Sequence, residues 1–186
     1  MTRLLAISGS VRRGSHNREL LRAAARALPP GAELVPWDGL ARLPHYDADL
    51  DGADAPAEVE ELRAALRAAD GLLIATPEYN HSIPGSLKNA LDWASRPFPD
   101  NALRDLPAAV VGASTGLFGA VWAQAEVRKV LAAAGSRVLD DELPVGQADA
   151  AFAADGALAD PGLAAELQRI VRELTAAARA RQPIAA

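Results

Sequence analysis

The chain has 186 residues, half of them hydrophobic, no cysteine, three histidines and a formal net charge of -5. That length supports one domain, residues 1–186, with a substantial core, and the acidic balance lacks the basic footprint that nucleic acid or an anionic membrane surface calls for. Without cysteine, disulfides, thiolate chemistry and Cys-based zinc sites are excluded, and three scattered histidines argue against any metal, so redox chemistry must be borrowed from a cofactor.

The amino-terminal stretch MTRLLAIS carries an apolar run too short for a signal peptide, and no later run has the length needed to span a bilayer. A cytoplasmic chain with no membrane partner is therefore expected. Three continuous apolar runs follow in order: Leu4 to Ile7, Leu72 to Ala75, and Ala108 to Val111. Continuity rather than alternation is the mark of parallel strands covered on both faces. Weaker strand signals lie at Glu33 to Pro36 and Arg137 to Leu139. Between them, apolar residues recur at helical spacing. Leu20, Leu21, Ala24 and Leu28 form one stripe; Val59, Leu62, Leu66 and Ala69 another; Leu87, Ala90, Leu91 and Ala94 a third. Val127, Val130, Leu131 and Ala134 give a fourth, and Leu163 through Leu174 to Ala178 the longest. Five strands alternating with five helices predict an α/β sandwich around an open parallel sheet. Residues 42–56, rich in Pro, Asp and Gly, read as an irregular connection.

The unusual residues cluster where strands end. SGSVRRGSHN follows the first strand, TPEYNHSIPGS the third and ASTGLFGA the fourth. With strand order 2-1-3-4-5, these loops emerge at the carboxyl edge and converge on the crevice between the first and third strands. In the first loop, Ser8, Ser10, Ser15 and Asn17 supply short polar groups, and Gly9 and Gly14 permit close backbone approach. Arg12 adds a charge-assisted donor, and the next helix points its positive end at the same place. Capping explains one such side chain, not the set, so the loop reads as an anion site suited to a terminal phosphate. It contains neither Gly-x-Gly-x-x-Gly nor Gly-Lys-[Ser/Thr], which disfavours a nicotinamide-binding Rossmann domain and a P-loop.

In the second loop, Pro77 and Pro84 stiffen a backbone that displays the amides of Glu78, Tyr79 and Asn80, an arrangement able to read a flat heterocycle, with the Tyr79 ring available for stacking. Lys88 and Asp92 read as an ordinary i,i+4 pair, with Asn89 assigned no role in the site, and His81 as a surface or interface residue rather than an acid–base group. In the third loop, Ser114, Thr115, Gly116 and Gly119 allow close approach to the opposite edge of a flat ligand.

Taken together, SGSVRRGSHN, PEYNHSIPGSLKNALDWAS and VVGASTGLFGAVWAQ resemble the NADPH-dependent FMN reductase family, the flavodoxin-like group that includes chromate, quinone and azo-dye reductases. The similarity covers nearly the whole chain, including FAADGALAD before the last helix. The resemblance implies a flavodoxin-like five-stranded parallel sheet with helices on both faces. It implies that Ser10, Arg12, Ser15 and Asn17 hold the FMN phosphate, that Pro77, Glu78, Tyr79 and Asn80 line the isoalloxazine, and that Ser114 and Gly116 contact its other side. It also implies NADPH or NADH as co-substrate, no metal, and a homodimer or homotetramer. Leu106 stands where many relatives have a basic residue, a departure that bears on the NADPH contacts. The expected activity passes reducing equivalents from NAD(P)H through bound FMN to a small acceptor such as a quinone, free flavin, azo compound or chromate, with no side chain acting as an obligatory acid or base. The alternative is a flavodoxin-like FMN-binding electron carrier without NAD(P)H activity.

Overall fold

The computed structural model describes residues 1–52 and 55–181. Its sheet is built from β1 (Thr2–Ser8), β2 (Ala32–Trp37), β3 (Gly71–Thr76), β4 (Pro107–Ala113) and β5 (Arg137–Val138), in the order β2-β1-β3-β4-β5, with neighbouring strands parallel. Five helices connect or follow the strands: α1 (His16–Arg26), α2 (Ala57–Arg67), α3 (Gly85–Ala94), α4 (Val121–Ala133) and α5 (Pro161–Ala180).

The apolar runs of β1, β3 and β4 are continuous because these strands are central and both of their faces are covered. Leu5, Ile7, Leu72, Ile74 and Val110 point to one side, where they meet Leu62 and Leu66 of α2, Leu87 and Trp93 of α3, and Val127 and Leu131 of α4. Leu4, Ala6, Leu73, Ala109 and Val111 point to the other, against Leu20 and Ala24 of α1 and Ile170, Val171 and Leu174 of α5. Strand residues of alternate parity thus feed two separate cores, as the period of two in an extended chain dictates.

A sixth strand, β6 (Pro144–Val145), was not anticipated. The β4 edge is met in two steps: Pro107 and Ala108 pair with β5, and Gly112 and Ala113 pair with β6. Between the two steps the Leu143 N–H leaves the ladder and donates to Gln124 Oε1 of α4. The break follows from a segment, DDELP, too polar and too proline-limited to sustain one buried strand.

The irregular connection over residues 42–56 contains two short 3-10 turns, Leu40–Arg42 at its start and Ala48–Leu50 within it; residues 53 and 54 of it lie outside the described residues. Asn89 and Trp93 of α3 both donate to the Pro44 carbonyl, and Asn89 also accepts the Tyr46 N–H. Buried Arg63 fastens Asp51 at 2.6 Å. Asn89 is therefore the anchor of a long loop. Lys88 and Asp92 form the expected pair at 2.7 Å.

Candidate functional site

The carboxyl ends of β1, β3 and β4 face a cavity of about 320 Å³. Ser10, Arg12, Ser15 and Asn17 line it from the first loop, Pro77, Glu78 and Tyr79 from the second, and Ser114 from the third. Asn80 and Gly116 do not line it. Thr115 of the third loop lines it as well, and so do His16 and Ala113, which the sequence reading did not single out. A wider polar cavity of about 470 Å³ at the opposite edge, bounded by Arg67, Asp70, Asp100 and Arg104, lies where none of the three loops comes.

The first loop is shaped for an anion by what it leaves unpaired. Ser10 and Ser15 are buried, and their oxygens accept only the Arg12 and Arg18 N–H groups, so their hydroxyl protons have no acceptor among the described residues. Ser15 is thereby both the cap of α1 and a free donor, which removes the choice between capping and binding. The leading N–H groups of α1 have no intrahelical acceptor and concentrate the positive end of the helix dipole there. The Arg12 guanidinium is exposed above the loop with no carboxylate partner among the described residues. Hydroxyls, helix amides and a free guanidinium form the donor set that a phosphate monoester requires.

Asn17 contributes differently from expectation. Its side-chain amide is buried and engaged with the backbone of Ala113 at the end of β4, so it sets the spacing of the first and third loops. Glu78 is likewise committed: its carboxylate accepts the Ala123 N–H at 3.1 Å and serves the open amino end of α4.

Asn80 falls outside the lining for a conformational reason. Tyr79 and Ser82 exchange both backbone hydrogen bonds across a two-residue turn, and Asn80 and His81 occupy it with φ of 53 and 60°. Such a turn needs positive φ at both central positions, which Asn tolerates best after glycine. Tyr79 is left 54 % exposed at the cavity mouth. His81, exposed, lies edge-on to Trp122 at 4.8 Å and 3.6 Å from Glu78.

The third loop is braced from behind. Ser114 accepts the Gly116 N–H at its hydroxyl, while Ser114 and Gly116 carbonyls accept the N–H groups of Ala148 and Gln147. Gly119 has φ of 57°, and a Cβ there would stand 2.3 Å from the Pro144 carbonyl carbon. This residue is glycine because β6 passes against it.

Residues 2–150 match the family described as NADPH-dependent FMN reductase. An NAD(P)H-dependent FMN reductase of Pseudomonas aeruginosa is 43 % identical over 159 residues, 85 % of each chain. A quinone reductase of Escherichia coli K12 is 40 % identical over 129 residues, covering 69 % of this chain and 68 % of its own. Among solved structures, the flavoenzyme NAD(P)H:(acceptor) oxidoreductase of Paracoccus denitrificans superposes with a TM-score of 0.85 at 36 % identity, covering 96 % of this chain and 98 % of its own.

Proposed function

The chain belongs to the NADPH-dependent FMN reductase family, and we propose that the cavity over the carboxyl edge is the FMN site of an NAD(P)H-dependent oxidoreductase acting on small acceptors, quinones first among them. The observation that carries this reading is the set of unspent donors in the first loop: two buried hydroxyls, the helix amides and Arg12, grouped at one end of a cavity whose other walls come from loops two and three.

In this reading Ser10, Arg12 and Ser15 hold the FMN phosphate directly, with the amides at the head of α1. Asn17 acts through Ala113 by fixing the distance between the loops. Pro77, the backbone at Glu78, and Tyr79 flank the isoalloxazine on one side, and Ser114 approaches from the other. Asn80 and Gly116 act on their loops rather than on the ring. When bound, FMN supplies the two-electron chemistry between NAD(P)H and the acceptor. The residues present bind, orient and leave one approach open. In this reading no side chain need act as a nucleophile or as an obligatory acid or base.

The family match over residues 2–150 and the packing of α5 on the same sheet support reading the chain as one domain. Leu117, Phe118 and Trp122 are exposed, Leu117 by 71 %, with Trp122 packed edge-on against Phe118 and against His81 of the second loop, which supports association of a second copy there. A cytoplasmic location, where NAD(P)H is supplied, belongs to the same proposal; no helix among the described residues is long and apolar enough to cross a membrane.

The test is the visible spectrum of the FMN-loaded protein before and after anaerobic addition of NADPH and of NADH. Bleaching of the flavin bands, with recovery on adding a quinone, is the expected result. Bound flavin that neither nucleotide reduces contradicts the oxidoreductase reading and favours an electron carrier.

A further inference from the structure

His16, the first residue of α1, lines the cavity and is 19 % exposed. Its Nδ1 lies 3.2 Å from Glu19 Oε2 on the same helix, and its Nε2 lies 3.0 Å from Asp149 Oδ1, a residue 133 positions away. The ring stacks on Phe152, centroids 6.3 Å apart and planes within 6°. Both ring nitrogens therefore face carboxylate oxygens, which accept and never donate when ionised. Only the imidazolium, with two N–H groups, can serve both; a neutral ring must turn a lone pair toward one carboxylate.

The segment that His16 grips is not incidental to the site. Just before Asp149, the N–H groups of Gln147 and Ala148 hold the carbonyls of Gly116 and Ser114, which brace the third loop. Just after it, Phe152 pairs with Leu158 to close a compact turn. The His16 to Asp149 contact thus joins the first loop to the support of the third, on the phosphate side of the cavity. Asn17, the next residue, makes a second such join through Ala113. The latter bond does not depend on protonation, whereas the former does.

We propose that His16 is a protonation-dependent latch on FMN: as imidazolium it locks the residue 147–152 segment to the phosphate turn and adds positive charge beside the phosphate, and on losing its proton it weakens both. The proposal rests on the FMN reading of this cavity. The charged groups that face His16 are Glu19 from α1 and Asp149 from the loop, with Arg12 lining the same cavity; Phe152 presents an uncharged ring.

The test is titration of the flavin-free protein with FMN, followed by quenching of flavin fluorescence, at about pH 6 and about pH 8.5. The phosphate of FMN gains charge over part of this range. The reading is therefore the change in the wild-type dissociation constant relative to that in His16→Phe, which keeps the stack on Phe152. Affinity of the wild type is expected to fall, relative to the variant, by about fivefold or more on raising the pH, a size consistent with the loss of one charge-assisted bond. Asp149→Asn, at an exposed carboxylate that leaves the core untouched, is expected to shrink that difference. Parallel pH dependences in wild type and His16→Phe overturn the latch while leaving the FMN site standing. Absence of FMN binding by the wild type at both pH values overturns the flavin reading itself.

Discussion

Asn17 and Ala113 are joined by two hydrogen bonds, Nδ2 to the Ala113 carbonyl and the Ala113 N–H to Oδ1, each 2.9 Å long and spanning 96 residues of sequence. One buried carboxamide thereby completes the backbone pairing of Ala113 on the side away from β6, beyond the last β3 pair, Thr76 with Gly112. The start of α1 is held against the sheet by the same contact, and the amides that head this helix acquire a fixed height above the cavity.

Removing that carboxamide strands a buried N–H and a buried carbonyl. Asn17→Ala is expected to cost about 2–4 kcal/mol, read as a lower urea midpoint of the flavin-free protein. Asn17→Asp keeps the acceptor, loses the donor and places a negative charge beside the phosphate position. It is expected to weaken FMN binding further than the alanine variant does, and equal FMN affinities for the two would speak against a phosphate at this end.

The Arg12 side chain is exposed and makes no hydrogen bond or ion pair among the described residues. Arg12→Ala is expected to leave the melting temperature of the flavin-free protein unchanged while reducing the upward shift caused by saturating FMN. A loss of about 1.5–3 kcal/mol of binding, the worth of a charge-assisted hydrogen bond, corresponds to about tenfold to hundredfold weaker affinity. Destabilisation without FMN, or an undiminished shift with it, is the contrary result.

His81 pays a conformational cost for its place in the turn, with φ of 60°. His81→Gly is expected to stabilise the protein by about 0.5–1 kcal/mol, because Asn-Gly is the favoured pair for this turn. If His81 serves the turn alone, kcat with NADPH and a quinone stays within about threefold in this variant; a general acid or base at this position would instead show as a loss of about a hundredfold or more.

Gly119 and Gly85 make a paired control. An added Cβ at Gly119 meets the Pro144 backbone at 2.3 Å, and its φ of 57° disfavours any side chain; nothing stands within 4 Å of the position at Gly85. Gly119→Ala is expected to destabilise by about 2–4 kcal/mol, and Gly85→Ala, at the first turn of α3, to change stability by no more than about 1 kcal/mol in either direction. Similar urea midpoints for the two variants would remove the argument that β6 presses on the third loop.

The sequence displayed the sheet well because its central strands are buried on both faces, and burial leaves the continuous apolar runs Leu4 to Ile7, Leu72 to Ala75 and Ala108 to Val111. The helices were legible for the corresponding reason, one stripe each. β6 was not, since its two residues owe their extended form to the open edge of β4 beyond β5 and to Gln124, neither of which is local. At the site, residue type marked the first loop as a polar cluster but could not separate roles within it. Asn17 and Glu78 carry the right chemistry for ligands and spend it on backbone amides of other elements. Asn80 was expected at the ring and sits instead in a turn that needs positive φ. A paired Asn and His between Tyr79 and Ser82 is a signal for that turn, and it was available. His16 had no local signal, because its partners Asp149 and Phe152 are brought to it only by the fold.

The measurement that bears most directly on the account is the affinity of the flavin-free protein for FMN compared with riboflavin, which differ by the phosphate alone. If the first loop is the phosphate site, FMN binds at least about a hundredfold more tightly, since two or more charge-assisted bonds at about 1.5–3 kcal/mol each depend on that group. Equal affinity for the two flavins would contradict the assignment of Ser10, Arg12 and Ser15, and with it the orientation of the cofactor on which the rest of the site is built.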